Sequence, residues 1–191
     1  MKKLILLFLL VSNFLSSQTW QPLISIPSNT IASNQRFDDV FFLNENLGWA
    51  ANGGFSEVFK TTDGGLNWTS QVTGAMLGSS HYFRNIEFLD ENIGFLGTLN
   101  QKLYRTTNGG STWNLVTNIT PNPAAICGLD CAGTSTVYGC GAYFGPAYII
   151  KSTDSGNTWQ FIDMSAYANA LVEINFIDEN IGIVSRKNAT D

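Results

Sequence analysis

Apolar and polar positions alternate in short runs along this chain, and the runs return at a fixed interval. Val40 and Phe42, Ile86 and Phe88, and Ile174 and Phe176 each alternate with their neighbours, the period of a half-buried strand. Every run leads into an Asn/Asp-Glu-Asn-aliphatic-Gly turn: NENLG at 44–48, DENIG at 90–94 and DENIG at 178–182. An Asn or Asp oxygen can accept a bond from the backbone two residues on, and Gly tolerates positive φ. These inner turns therefore predict a tight reversal into a second strand. A degenerate copy, ICGLDCAGTSTVYGCG at 126–141, fills the interval between the last two, with Gly139 in the place of Gly48, Gly94 and Gly182.

A second pattern runs out of phase with the first: FKTTDGGLNW ending at Trp68, YRTTNGGSTW ending at Trp113 and IKSTDSGNTW ending at Trp159. Here an aliphatic or aromatic residue and a base precede a hydroxyl residue (Thr61, Thr106, Ser152), an Asp or Asn (Asp63, Asn108, Asp154) and a Gly (Gly65, Gly110, Gly156). The Asp or Asn is expected to accept backbone N–H bonds across the turn, and the Gly to supply the special dihedral. The Trp then opens the next strand with its ring buried between neighbouring sheets, a contact of about 150–250 Å². Both patterns repeat every 43 to 46 residues, so one period holds two hairpins, or about four strands. Four strands per period of this length is the arithmetic of a β-propeller blade.

On these residues the chain resembles Asp-box (BNR) repeat proteins, and the pairing of the two motifs is similar to the photosystem II stability/assembly factor-like propellers. That family includes secreted bacterial proteins unconnected with photosynthesis. The resemblance spans about residues 18–185 and is specific for fold, not activity. It implies an all-β propeller with about four four-stranded blades within 18–191, part of a ring that resembles seven blades. The segment SQTWQPLIS around Trp20 matches the strand that follows the other tryptophan turns and is expected to be a lone outermost strand. The resemblance also puts the two turn motifs on one face and the longer connections on the other. The latter carry Phe55, His81, Tyr82, Arg84, Tyr143, Phe144, Tyr148 and Tyr167, a mixture of aromatics with an Arg that suits a partner-binding surface.

Composition narrows the functions. Charged residues make up 13% of the chain, against roughly 25% in ordinary soluble domains, and the formal net charge is -5. No polycationic face exists for nucleic acid or anionic lipid. Residues 1–17, MKKLILLFLLVSNFLSS, place two lysines before an apolar core too short to anchor in a bilayer, which reads as a secretory signal peptide. No later stretch has the length of a membrane span. The mature chain is expected outside the cytoplasmic membrane, in the periplasm, at the cell surface or secreted.

The chemistry-bearing residues give little purchase for catalysis. The acidic turns at Asp90-Glu91-Asn92 and Asp178-Glu179-Asn180 lack the further ligands of a calcium loop and read as turn caps, with no cofactor called for. His81 is the only histidine, which leaves neither a multi-histidine metal site nor a spare base for a serine nucleophile. Asp-box repeats also occur in sialidases, which resemble enzymes needing three arginines, a Tyr nucleophile and an acidic partner. The chain has Arg36, Arg84, Arg105 and Arg186, and Arg105 is the repeat-associated base equivalent to Lys60 and Lys151. Cys127, Cys131 and Cys140 all fall in the degenerate copy. Export permits a disulfide, and Cys127 with Cys140 is the favoured pair among three if the hairpin turns near Thr134. The expectation is a non-enzymatic propeller that binds a protein or cell-envelope partner. The alternatives are an exported glycoside hydrolase completed by further sequence and a structural module of a larger surface protein.

Overall fold

The computed structural model describes residues 36–187, so the expected signal peptide and the strand around Trp20 lie outside the described residues. Three four-stranded antiparallel sheets and a two-stranded one follow in chain order. The first contains β1 (Phe37–Phe42), β2 (Gly48–Asn52), β3 (Glu57–Thr61) and β4 (Thr69–Thr73). The second contains β5 (Phe83–Phe88), β6 (Gly94–Thr98), β7 (Leu103–Thr106) and β8 (Asn114–Leu115). The third contains β9 (Gly128–Ala132), β10 (Thr136–Gly141), β11 (Tyr148–Ser152) and β12 (Gln160–Asp163). The fourth has two strands, β13 (Ala170–Phe176) and β14 (Gly182–Lys187). One 3₁₀ turn, Gly74–Leu77, is the only helical element among the described residues.

Strands pair in sequence order within every sheet, so alternate connections emerge at opposite ends. The inner turns and the tryptophan turns share one end, the turn face. There the Gly64 N–H donates to Asn46 O (2.9 Å), Gly109 N–H to Asn92 O (2.9 Å) and Ser155 N–H to Ser135 O (2.8 Å). The two out-of-phase motifs of the sequence are thus the two hairpin turns of one blade, tied by a backbone bond. Loops 53–56, 99–102 and 142–147 and the connections 74–82, 116–127 and 164–169 lie at the other end, the loop face.

The sheets pack face to face around the inner strands β1, β5, β9 and β13, and a separate apolar cluster fills each seam. Trp49 stacks on Phe88 across the first seam, and Tyr138 stacks on Phe176 across the third, both at 3.6 Å between ring centroids. The middle seam differs because Cys131 holds the place of Phe88 and Phe176. Phe95 there meets Trp159 edge-on at 5.9 Å instead. Bases brace the seams too: Lys60 Nζ donates to Gly109 O (3.1 Å) and Arg105 Nε to Ser155 O (2.7 Å), each reaching the tryptophan turn of the next blade. The partial β-propeller is the outcome of these repeated seams.

Register corrects one assignment. Ser152, the counterpart of Thr61 and Thr106, pairs with Val137, as Thr61 pairs with Gly48 and Thr106 with Gly94. Val137, not Gly139, therefore occupies the inner-turn glycine position. The third blade replaces the five-residue turn with a three-residue one at 133–135, and β9 and β10 gain an extra pair, Ala132 with Thr136.

The tryptophan turns close through their hydroxyl. Thr61 Oγ1 accepts from Gly65 N–H (2.9 Å), Thr106 Oγ1 from Gly110 N–H (2.9 Å) and Ser152 Oγ from Gly156 N–H (2.8 Å). The same hydroxyls donate to Asp63, Asn108 and Asp154, whose Oδ1 atoms accept from the backbone N–H four residues on, at 67, 112 and 158. Gly65, Gly110 and Gly156 hold φ of 88°, 86° and 78°, a region that costs an L side chain strain. Trp68 and Trp159 donate their indole N–H back to Gly65 O and Gly156 O.

Candidate functional site

Most polar groups of the turn face are already engaged. Asn44, Asp90 and Asp178 each give one oxygen to two backbone N–H groups of their own turn. Hydrogen bonds from Thr158 and Ser152 hold the Asp154 carboxyl down at about 2, and bonds from Asn67 and Thr61 lower that of Asp63. Among the described residues no three His, Cys, Asp or Glu side chains are placed to hold a metal ion.

The loop face presents aromatic surface. Phe55, Tyr143 and Tyr167 are exposed, and Phe144 is 93% exposed. His81 and Tyr82 are partly covered: His81 Nε2 lies 2.8 Å from Ser79 Oγ, and the Tyr82 ring lies beside Gly53 and the Asp38 carboxylate. Tyr148 does not belong to this surface. Its ring is buried, stacked on Phe161, and its hydroxyl donates to Ala125 O, because β11 turns it inward against the 116–127 connection. The disulfide is also corrected. All three cysteines are free thiols, and Cys140 pairs with Gly128, one residue out of step with Cys127. Neighbouring positions on a strand point to opposite faces, so the Cys127 and Cys140 side chains diverge.

Sequence reading missed two features. The first lies along the inner strands, where register shifts in β1, β5 and β13 mark bulges at 38, 84 and 172. Arg84 occupies the second bulge, donates to Asp38 O of the preceding blade (3.3 Å) and reaches Glu173 of β13 at 4.0 Å. Gly128 makes room for this reach, since a Cβ there would stand 2.8 Å from Glu173 Oε1. Asp39, Glu87, Asp130 and Glu173, one per blade, interact through the interior. Burial first, and then the charges of the other three, push the Glu87 carboxyl up to about 9, while Asp39, Asp130 and Glu173 are raised by burial. Asp39 and Asp130 also accept backbone N–H bonds from Ile86 and Phe176 of the following blade. Their spacings of 48, 43 and 43 residues do not share one period, so the repeat gave no signal for the set.

The second feature is an apolar pocket of about 250 Å³ on the loop face between the second and third blades. Leu99, Ala124, Ala125 and Ala142 form its walls, and Tyr143 and Phe144 its rim. It was not legible because its walls come from three connections with no shared motif.

No family model and no curated protein matches the chain in sequence. Solved structures do match in shape. A YCF48 bound to a D1 peptide is 18% identical with a TM-score of 0.59, over 84% of this chain and 49% of that one. A GH74 enzyme from Niastella koreensis is 15% identical with a TM-score of 0.66, over 89% of this chain and 31% of that one. YCF48 from Cyanidioschyzon merolae is 18% identical with a TM-score of 0.53, over 75% of this chain and 48% of that one. The chain spans about half the length of the YCF48 structures and about a third of the GH74 enzyme. These likenesses establish the propeller fold.

Proposed function

We propose that this chain belongs to an exported, non-catalytic propeller that binds a protein partner through its loop face. The observation that carries the reading is the contrast between the two ends. The turn face spends Asp63, Asp90, Asp154 and Asp178 on backbone N–H groups of its own turns and exposes aliphatics such as Leu66 and Ile177, while the loop face leaves the aromatics Phe55, Tyr143, Phe144 and Tyr167 open to solvent. Exposed aromatics of this kind carry interface energy. The YCF48 structure holding a D1 peptide gives a precedent for peptide binding on this fold.

A glycoside hydrolase is the second reading, favoured by the GH74 neighbours and by four mutually interacting carboxyls on the inner strands. Acid–base work on a glycosidic bond needs one carboxyl kept protonated and another kept ionised. Here burial pushes Glu87 up to about 9, while burial also raises Asp39, Asp130 and Glu173 against the opposing pull of backbone N–H bonds from Ile86, Phe176 and Ile174.

A photo-crosslinking amino acid placed at Phe144, and separately at Leu66 on the turn face, tests the choice in extracts of cells that make the protein. Adducts from position 144 alone support the binding reading. Release of reducing sugar from xyloglucan that is lost in Glu87→Gln would replace it with the enzymatic one.

A further inference from the structure

The outer strands of the first two blades differ by one residue. In the first blade Phe59 pairs with Ser70 and Val58 with Val72, so Gln71 bulges out of β4. In the second blade Tyr104 pairs with Leu115, and Val116 N–H donates directly to Leu103 O (2.9 Å), which leaves no residue in the place of Gln71. The third blade has no bulge there either, since Ile150 and Ile149 pair with the consecutive Phe161 and Ile162. Gln71 fills the first seam beside the tryptophan turn of the next blade. Its Nε2 donates to Gly109 O (2.7 Å), its Oε1 accepts from Trp49 Nε1 (3.1 Å), and a Cβ on Gly110 would collide with that oxygen.

At the second seam the corresponding space is a pocket of about 220 Å³, open to solvent. Arg105, Thr107, Asn114 and Thr117 line it from the second blade, Gly156 and Asn157 from the third. Asn118 Nδ2 donates to Asn157 O (2.7 Å) and ties the two sides together. Arg105 is half-buried and spends its Nε–H on Ser155 O (2.7 Å). A guanidinium carries five N–H donors in a planar fork, so four remain, and among the described residues they meet neither a hydrogen-bond acceptor nor a carboxylate in an ion pair. No carboxylate lines the pocket, and Arg105 is the only charged residue from 103 to 118. Asp154 of the neighbouring tryptophan turn is committed to that turn, its Oδ1 accepting from Thr158 N–H (2.8 Å) and its Oδ2 from the Thr158 hydroxyl (2.6 Å). The counterparts of Arg105 leave no such fork: the single ammonium groups of Lys60 and Lys151 lie over the rings of Trp49 (5.0 Å) and Tyr138 (4.9 Å).

The geometry points to a carboxylate-binding site at the second seam, in which the unspent Nη edge of Arg105 takes the anion and Thr107, Asn114 and Thr117 bond to its neighbouring polar groups. Two parallel N–H groups of a guanidinium match a planar carboxylate, and such charge-assisted bonds are roughly twice as strong as neutral ones. One cation with no second base suits a monoanion. The volume falls below the roughly 300–1,000 Å³ of drug-sized sites, so it takes one small acid or one chain terminus and no longer segment. The site lies beside a tryptophan turn, away from the loop face, and stands or falls separately from the partner-binding reading.

NMR shifts of the Arg105 Nε–H and the backbone amides of the full chain, in Tris-chloride at constant ionic strength, test it. The probes are glucuronate, glucose, acetyl-Gly-Gly with a free C-terminal carboxylate, its amide, and inorganic phosphate. A carboxylate probe is expected to move the signals of Arg105, 114–118 and 156–157, and its neutral partner to leave them in place. Tighter binding of glucuronate supports the site as one for free hydroxy acids, and tighter binding of acetyl-Gly-Gly supports it as one for chain termini. Arg105→Lys keeps the charge, restores the base of the other two blades and should bind about tenfold more weakly for want of the two-pronged contact. Thr117→Trp, at an exposed position of the wall, should abolish the shifts and leave the remaining spectrum unchanged. Equal responses to charged and neutral probes, no response at these positions, undiminished binding in Arg105→Lys, or tighter binding of phosphate than of either carboxylate would overturn the site.

Discussion

The indole of Trp49 lies on the ring of Phe88, 3.6 Å between centroids and 9° from parallel, across the seam between the first two blades. Both side chains are buried, and Phe88 also meets Trp113 edge-on at 6.0 Å. One residue thus packs a blade against its neighbour and against its own tryptophan turn. Phe88→Ala should destabilise the chain by about 3–5 kcal/mol in urea unfolding, as truncation of a buried aromatic does. Cys131→Ala, at the matching position of the middle seam, removes a single sulfur and should cost much less. Equal losses would show that the seams do not hold the fold in this way.

In the second blade Asn108 stands where the others have Asp63 and Asp154, and its Nδ2 donates to Thr112 Oγ1 at 2.9 Å. In the third blade the hydroxyl of Thr158 donates the other way, to Asp154 Oδ2 at 2.6 Å. Asn108→Asp should therefore leave thermal stability near that of the parent, because Thr112 need only rotate its proton. Thr106→Val removes the hydrogen bonds of a buried hydroxyl to Asn108 and Gly110 and should cost about 1–3 kcal/mol in the same measurement. A large loss in the first variant would contradict the equivalence of the turns.

Glu87 makes stability fall with rising pH. Its folded pKa of about 9 lies above the ordinary carboxylate range, so between the two values the folded chain binds more protons than the unfolded one. Stability is retained below that range and lost as pH climbs through about 9, and the raised Asp39, Asp130 and Glu173 act in the same direction. The thermal midpoint should drop from pH 5 to pH 8, and Glu87→Gln should flatten the drop. Parallel curves for the two proteins would remove Glu87 as the cause. Asp63 and Asp154, both lowered, act in the opposite direction: the stability they contribute is lost as pH falls through their folded values, about 2 for Asp154.

Surface aromatics should separate binding from folding. Phe144→Ser changes a side chain that is 93% exposed and should shift unfolding by no more than about 0.5 kcal/mol. Crosslinking through the loop face should nevertheless weaken. Tyr148→Phe should do the reverse, since its hydroxyl is bonded to Ala125 beneath the surface and touches no partner.

Local chemistry explains what could be read from sequence. The inner turns and tryptophan turns repeat because each needs fixed residue types within a few positions, and the strand alternation between them repeats for the same reason. The third blade misled at Gly139 because Val137 takes the inner-turn glycine position there, while other glycines stand nearby in the strand. Tyr148 resembled a loop aromatic but is a strand residue facing inward. The pocket and the Arg84–Glu173 contact join residues far apart in the chain through blade packing, which no single repeat encodes.

Hydroxyl-radical footprinting of the full chain, in buffer and in extract of the cells that produce it, bears most directly on the loop face as a partner-binding surface. The expected result is protection of Phe55, Tyr143, Phe144 and Tyr167 in extract, with Leu66 and Ile177 of the turn face unchanged. Protection of Leu66 and Ile177 instead, or identical footprints in the two conditions, would contradict it.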